Sequence, residues 1–178
     1  MEHIRMTPLI VDLDHTLINT DLLYESSMVV LKKSPWLILL YPFWFFIGKG
    51  YLKEQLVKRC EIDISKLPYN TTTIAYIKKR KKQGDIIILA TASHKVYALS
   101  VAKHLKLFND VMASNKDFNL SSHNKAKKLI ERFGAQKFDY IGDHMRDLPV
   151  WEASNLAILI NVSDKVIKKT QHLNTLIL

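Results

Sequence analysis

The sequence predicts an α/β fold: a parallel sheet covered by helices on both faces, interrupted by a helical insertion after the first strand. Three observations predict it. From Asp85 to Ile160, short β-branched runs alternate with segments of helical length, the pattern of strands joined by crossover helices. Before this alternation stands Leu9-Ile10-Val11, an apolar run short enough for one more buried strand. Between the two, residues 18–70 break the alternation and carry mostly helix-like spacing.

Taken in order, the first strand covers Leu9 to Leu13. Thr20 or Asp21 can cap a helix carrying Leu22, Leu23, Val29 and Val30, which Lys32-Lys33-Ser34-Pro35 ends. An uncharged run follows from Trp36 to Ile47. It is shorter than the roughly 18–20 apolar residues a spanning helix needs, and Pro42 interrupts it. Gly48-Lys49-Gly50 closes the run, and a helix with Leu52 and Leu56 on one face comes next. Leu67-Pro68-Tyr69-Asn70 reads as a turn, with Asn70 or Thr71 capping a helix that carries Ile74 and Ile77. That helix ends in Lys78-Lys79-Arg80-Lys81-Lys82 and stops at Gly84. Strands are then expected at Ile86–Ala90, Val111–Ala113, Phe138–Ile141 and Leu156–Ile160. Helices are expected between them at Ser93–Leu107, Lys125–Phe133 and Leu148–Ala153. The core is therefore residues 1–17 and 71–178, with residues 18–70 inserted.

Composition sets outer limits. A chain of 178 residues that is 48% hydrophobic holds one core with a modest insertion. A single cysteine, Cys60, excludes an internal disulfide and suits a reducing compartment, so the expected location is cytoplasmic, at the membrane surface if the apolar insertion touches lipid. No signal peptide is expected, because Asp12 and Asp14 interrupt the early apolar run. The net charge of +9 suits anionic partners in general. Nucleic acid is not expected, since the basic stretch at 78–82 reads as a solvated helix face and no aromatic-studded basic strand accompanies it.

Ligands of open parallel sheets bind beyond the carboxyl ends of the strands. After the first strand come Asp12, Asp14 and Thr16; after the second, Thr91, Ala92 and Ser93; after the fourth, Gly142, Asp143 and Asp147. If extended geometry persisted, Asp12 and Asp14 would share one face, and two such charges at the end of a buried strand call for a cation. Mg²⁺ suits hard oxygen ligands and tolerates phosphate oxygens in its shell. These residue types suit phosphoryl transfer: a carboxylate nucleophile, a second carboxylate as acid and base, hydroxyls and helix-start amides for phosphate, and a lysine for charge. Singly, each has a plainer reading: a polar turn for Asp12 and Asp14, a helix cap for Thr91, a turn for Asp143 and Asp147, a surface charge for Lys125. Their joint order at strand and helix ends favours the functional one.

Val11-Asp12-Leu13-Asp14-His15-Thr16, Ile88-Leu89-Ala90-Thr91, Lys125 and Gly142-Asp143-x-x-x-Asp147 resemble the four motifs of the haloacid dehalogenase superfamily. The resemblance implies a Rossmann-like three-layer core with a small helical cap at 18–70. It implies Asp12 as nucleophile and Asp14 as general acid and base. Mg²⁺ would be held by Asp12, the Asp14 backbone carbonyl and Asp143, with Asp147 supporting, and phosphate by Thr91, Ala92 and Lys125. An acid at position 14 marks the phosphatase branch. His15 stands where a small residue is common. Lys127 and Lys128 compete with Lys125, which is preferred for its spacing to Leu129 and Phe133-Gly134. A closer resemblance, carried by Leu67-Pro68-Tyr69-Asn70, Ala90-Thr91-Ala92-Ser93 and Phe138 to Trp151, is to phosphoserine-phosphatase-like domains fused to UbiA-type polyprenyl transferases. It implies a small or isoprenoid-linked phosphorylated substrate near a membrane. The competing expectation is a non-catalytic domain of this fold that serves as a membrane-docked partner of such a transferase. Two readings of Trp36–Ile47 also stay open: a core helix of the cap, or an aromatic surface with Trp36, Tyr41, Trp44 and Tyr51 on a bilayer, flanked by Lys32, Lys33, Lys49 and Lys53.

Overall fold

The structure, a computed structural model, describes residues 7–178. The expectation about a signal peptide and the start of the core concern residues 1–6 in part, which lie outside the described residues. Six strands form one parallel sheet: β1 (Leu9–Val11), β2 (Ile87–His94), β3 (Asp110–Ser114), β4 (Asp139–Gly142), β5 (Leu156–Leu159) and β6 (Thr175–Ile177). Their order is β3-β2-β1-β4-β5-β6. The first strand thus lies in the middle, pairing Val11 with Leu89 on one side and with Ile141 on the other. Whatever follows β1 emerges between two strand ends, where parallel sheets bind ligands.

Alternation along the strands divides the core into two layers. Leu9, Val11, Leu89 and Ile141 face Ile77 of α4 (Thr71–Lys82) and Val101 of α5 (Lys95–Leu105). Ile10, Ile88, Tyr140 and Leu159 face Leu129 of α6 (Ser122–Phe133), Trp151 of α7 (Leu148–Ala153) and Val166 of α8 (Asp164–Thr170). This is the expected three-layer α/β core. Asn70 caps α4 by accepting from the Thr72 and Thr73 amides at 3.0 and 3.2 Å.

Several boundaries differ from the sequence expectation. Strand β2 continues past Ala90 to His94, with an irregular register between Thr91 and His94. Helix α5 therefore starts at Lys95 rather than Ser93, because His94 pairs with Ser114 and then caps the helix. Helix α6 starts three residues before Lys125. Helix α8 and strand β6 were not expected: β6 is a three-residue edge strand with mostly exposed side chains, so it carries almost no burial pattern.

The insertion folds as α1 (Leu22–Lys33), a 3-10 segment (Pro35–Leu40), α2 (Tyr41–Ile47), α3 (Lys49–Val57) and a 3-10 turn at Ile64–Lys66. Asp21 caps α1 by accepting from the Tyr24 amide at 3.0 Å. Val30, Leu37, Trp44, Leu52, Leu56 and Cys60 form a separate apolar cluster. Pro42 starts α2 rather than breaking a helix. Gly48, at φ 150°, makes the bend into α3. The insertion leaves and returns through one neck, where Ile18 bridges Tyr69 and the Asn70 amide reaches the Leu17 carbonyl at 2.9 Å. Ile18, Leu22 and Leu67 pack with the sheet's own cluster, so the apolar border falls a few residues inside 18–70. Among the described residues, no helix is long and apolar enough to cross a membrane.

Candidate active site

Strand β1 ends at Val11, and the Asp12 amide still donates to the Ile141 carbonyl at 3.1 Å. Beyond it the chain turns. The amides of Leu17 and Ile18 both reach the Leu13 carbonyl, at 2.9 and 3.0 Å, and His15 adopts φ 58°. That left-handed conformation favours glycine, and among side chains with a Cβ histidine is one of those that adopt it more readily. Extended geometry does not persist to Asp14, so the two carboxylates diverge.

The Asp12 carboxylate meets Lys125 Nζ at 2.9 Å. Lys125 comes from α6 and is 2% exposed, whereas Lys127 and Lys128 on the same helix are exposed. Its ammonium also donates to the Tyr140 hydroxyl at 2.8 Å and lies 3.9 Å from Asp147 Oδ1. The Tyr140 hydroxyl in turn donates to Asp147 Oδ1 at 2.7 Å. Asp147 Oδ2 accepts from the Asp143 and His144 amides at 3.3 and 3.2 Å. Thr16 Oγ1 donates to Asp143 Oδ1 at 3.1 Å and is held through its own carbonyl by Thr73. Gly142 is required here: a Cβ would sit 2.7 Å from Asp147 Oδ2 and 2.8 Å from the Tyr140 ring.

Asp14 has a different environment. One oxygen accepts from the Leu22 amide at 2.9 Å, the other from the Ser93 hydroxyl at 2.6 Å. The start of α1 and the end of β2 thus fix it between core and cap. Thr91 is wholly buried, and its hydroxyl oxygen accepts from the Ser93 amide at 2.9 Å. Ala92 and Ser93, but not Thr91, line the cavity above the strand ends. The Ala92 carbonyl accepts from Lys53 of α3.

Burial raises Asp12 to about 7; the Lys125 charge opposes this and Asp147 adds to it. Burial raises Asp14 as well, helped by Asp21 and opposed by Ser93 and Leu22. Asp143 is raised by burial and by Asp147. Burial lowers Lys53. Oxygens of Asp12, Asp143 and Asp147 all lie within 4.8 Å of one another. Three clustered carboxylates, two of them beside one lysine, form a hard, oxygen-only donor set with excess negative charge, which fits a cation such as Mg²⁺. The Asp14 side chain is outside this group; its carbonyl is what it can offer.

The cavity has a volume of about 370 Å³. Its floor holds Asp12, Asp14, Lys125 and Asp143, and the cap contributes Phe45, Lys49, Leu52 and Lys53. Helix α3 comes close because position 50 is glycine: a Cβ there would lie 2.5 Å from the Lys116 carbonyl oxygen. Glu54 Oε2 pairs with His94 Nε2 at 2.8 Å on the same side. Sequence reasoning places Ser93 beyond a strand end without a role of its own and misses Tyr140 as a site residue. Tyr140 reads as an ordinary core position by alternation, and the only signal is that a buried tyrosine needs a partner for its hydroxyl.

Comparison with known proteins agrees with this fold. The profile of the haloacid dehalogenase-like hydrolases matches residues 9–152. An uncharacterized protein, y4nM, from Sinorhizobium fredii is 36% identical over 157 residues. That match covers 88% of this chain but only 30% of the relative's length. Phosphoserine phosphatase in its apo form has the same fold with a TM-score of 0.66 and 14% identity, over 96% of this chain and 92% of that one. A phospho-aspartyl intermediate analogue of phosphoserine phosphatase gives 0.64 and 14%, over 93% and 91%. A protein of unknown function from Bordetella pertussis gives 0.69 and 14%, over 95% and 97%. With the family profile spanning β1 to β4, the neck, the cap and the residues of all four motifs, the chain belongs to the haloacid dehalogenase-like hydrolase family.

Proposed function

We propose that the protein is a Mg²⁺-dependent phosphomonoester hydrolase working through an aspartyl-phosphate. The observation that carries this reading is the separation of two neighbouring carboxylates into two environments. Asp12 lies with Lys125 inside an acidic cluster, while Asp14 is held by an amide and a hydroxyl at the cap.

In the first step an Asp12 oxygen attacks phosphorus and the ester P–O bond breaks. The leaving alkoxide takes the proton of the Asp14 carboxyl, whose raised pKa favours that protonated form. In the second step the Asp14 carboxylate takes a proton from water, the water oxygen attacks phosphorus and the bond to Asp12 breaks. Inorganic phosphate leaves and both carboxyl groups return to their starting states. Lys125, fixed by Tyr140, offsets the charge that gathers between Asp12 and the phosphoryl oxygens. Mg²⁺ on Asp12, Asp143 and the Asp14 carbonyl, with Asp147 behind, would polarise those oxygens.

The substrate class is a small or lipid-linked phosphomonoester; the resemblance to domains fused to polyprenyl transferases favours isoprenoid-linked phosphates. The non-catalytic alternative, a membrane-docked partner of such a transferase, does not call for a buried lysine paired with Asp12 inside a cluster of three carboxylates. The test is a panel of phosphomonoesters, isoprenoid-linked ones included, assayed with Mg²⁺ or chelator. Turnover should require Mg²⁺ and vanish in Asp12→Asn, since an amide cannot form the acyl-phosphate. Asp12→Asn turnover at the wild-type rate, or full activity in chelator, refutes the mechanism.

A further inference from the structure

We infer that the apolar face of the cap docks on an anionic lipid bilayer and holds the mouth of the site at the membrane surface. Docking rests on the surface alone; only its link to turnover rests on the phosphatase reading.

The uncharged run does not behave as one element. Leu37 and Trp44 are 6% and 4% exposed and anchor the segment in the cap's cluster. Trp36, Ile38, Leu39, Phe43, Phe46 and Ile47 remain between 52% and 88% exposed. With Phe45, also 52% exposed, seven large apolar side chains within twelve positions exceed the scattered exposure ordinary surfaces show, and such patches mark interaction sites. The 3-10 segment and α2 are six and seven residues long. Elements this short cannot span a bilayer, so their apolar face can meet lipid only along its surface.

Charge selects the occupant. Between Glu25 and Glu54 the chain has no carboxylate, and Lys32, Lys33 and Lys49 in that interval are exposed. A second copy meeting this face through a two-fold axis would bring two sets of these lysines to one interface with no carboxylate of the same stretch to pair them. Anionic headgroups accept the lysines while the acyl boundary accepts Leu39 and Phe46. Continuity with the site adds a second argument. Phe45 and Lys49 line the cavity, and Phe46 and Ile47 between them belong to the exposed face. A phosphate carried on a membrane lipid would therefore meet the cavity mouth beside the docked face.

The test is co-sedimentation with vesicles of phosphatidylcholine alone or mixed with phosphatidylglycerol, at low and high salt. It uses wild type, Leu39→Ser/Phe46→Ser and Asp12→Asn. Wild type should bind the anionic vesicles, less so at high salt. The double variant should lose at least tenfold in binding while keeping the wild-type melting temperature, because both side chains are exposed. Asp12→Asn should bind like wild type, which separates docking from catalysis. Bromine-labelled acyl chains should quench tryptophan fluorescence in wild type, and much less in Trp36→Phe. No binding to anionic vesicles overturns the inference. So does wild-type binding by the double variant, or a dimer that the double variant abolishes in a protein that ignores vesicles.

Discussion

Replacing Tyr140 with phenylalanine removes one oxygen from the centre of the site. That oxygen accepts from Lys125 at 2.8 Å and donates to Asp147 at 2.7 Å. Both partners are buried, so water does not readily take its place. Each bond involves an ionised group and is worth about 1.5–3 kcal/mol; because they share one atom, their joint loss is about 3 kcal/mol rather than the sum. At roughly 2–4 °C per kcal/mol for a chain of this size, the melting temperature should fall by about 6–12 °C. The catalytic consequence comes through geometry. Lys125 loses one of its two fixed partners, Asp12 being the other, and Asp147 loses a tie that holds it in the acidic cluster. Losses of supporting hydrogen bonds of this kind cost about 10- to 100-fold in metal affinity or activity. The assay is steady-state turnover against Mg²⁺ concentration, paired with thermal melts. A folded Tyr140→Phe protein with wild-type kcat and wild-type Mg²⁺ dependence would refute the assignment of Tyr140 as a positioning residue.

Two further perturbations test neighbouring parts of the argument. Gly142→Ala should push Asp147 off the Asp143 and His144 amides, since its Cβ would lie 2.7 Å from Asp147 Oδ2. The Mg²⁺ needed for half-maximal rate should rise by about tenfold or more, as read from a metal titration. Arg80→Met should act on stability alone. Arg80 pairs with Asp85 and with Asp139 Oδ2 at 2.9 Å, all three largely buried, and removing the cation leaves two buried carboxylates. The expected loss is about 3–5 kcal/mol in a denaturant melt, with turnover per folded molecule unchanged.

What could be read from the sequence followed from strong local patterns. The strands of the sheet's centre are short apolar runs, and each ends in a residue that packing does not explain, as at Asp12 and Asp143. Spacing within α6 separated Lys125 from Lys127 and Lys128, because position 125 shares a helix face with Leu129 and the other two do not. Tyr140 was invisible because period-two alternation assigns it to the core, and half of its role is indeed core packing. The end of β2 was misplaced because Thr91-Ala92-Ser93 resembles a helix start, yet the backbone stays extended to His94. Trp36–Ile47 was ambiguous for a geometric reason. A 3-10 segment and an α-helix of different pitch meet at Leu40 and Tyr41, so no single period sorts the buried residues from the exposed ones.

In the proposed mechanism Asp12 carries the phosphoryl group and Asp14 moves the protons. An aryl phosphate with a good leaving group needs little protonation on departure, so Asp14→Asn should slow the second step far more than the first. Mixed rapidly with such a substrate and Mg²⁺, Asp14→Asn should release close to one equivalent of phenolate per site in a burst. Peptide mass spectrometry of the quenched protein should place the phosphoryl group on Asp12. A burst-free reaction with no phosphorylated Asp12, in a protein that still turns over, would rule out the aspartyl-phosphate.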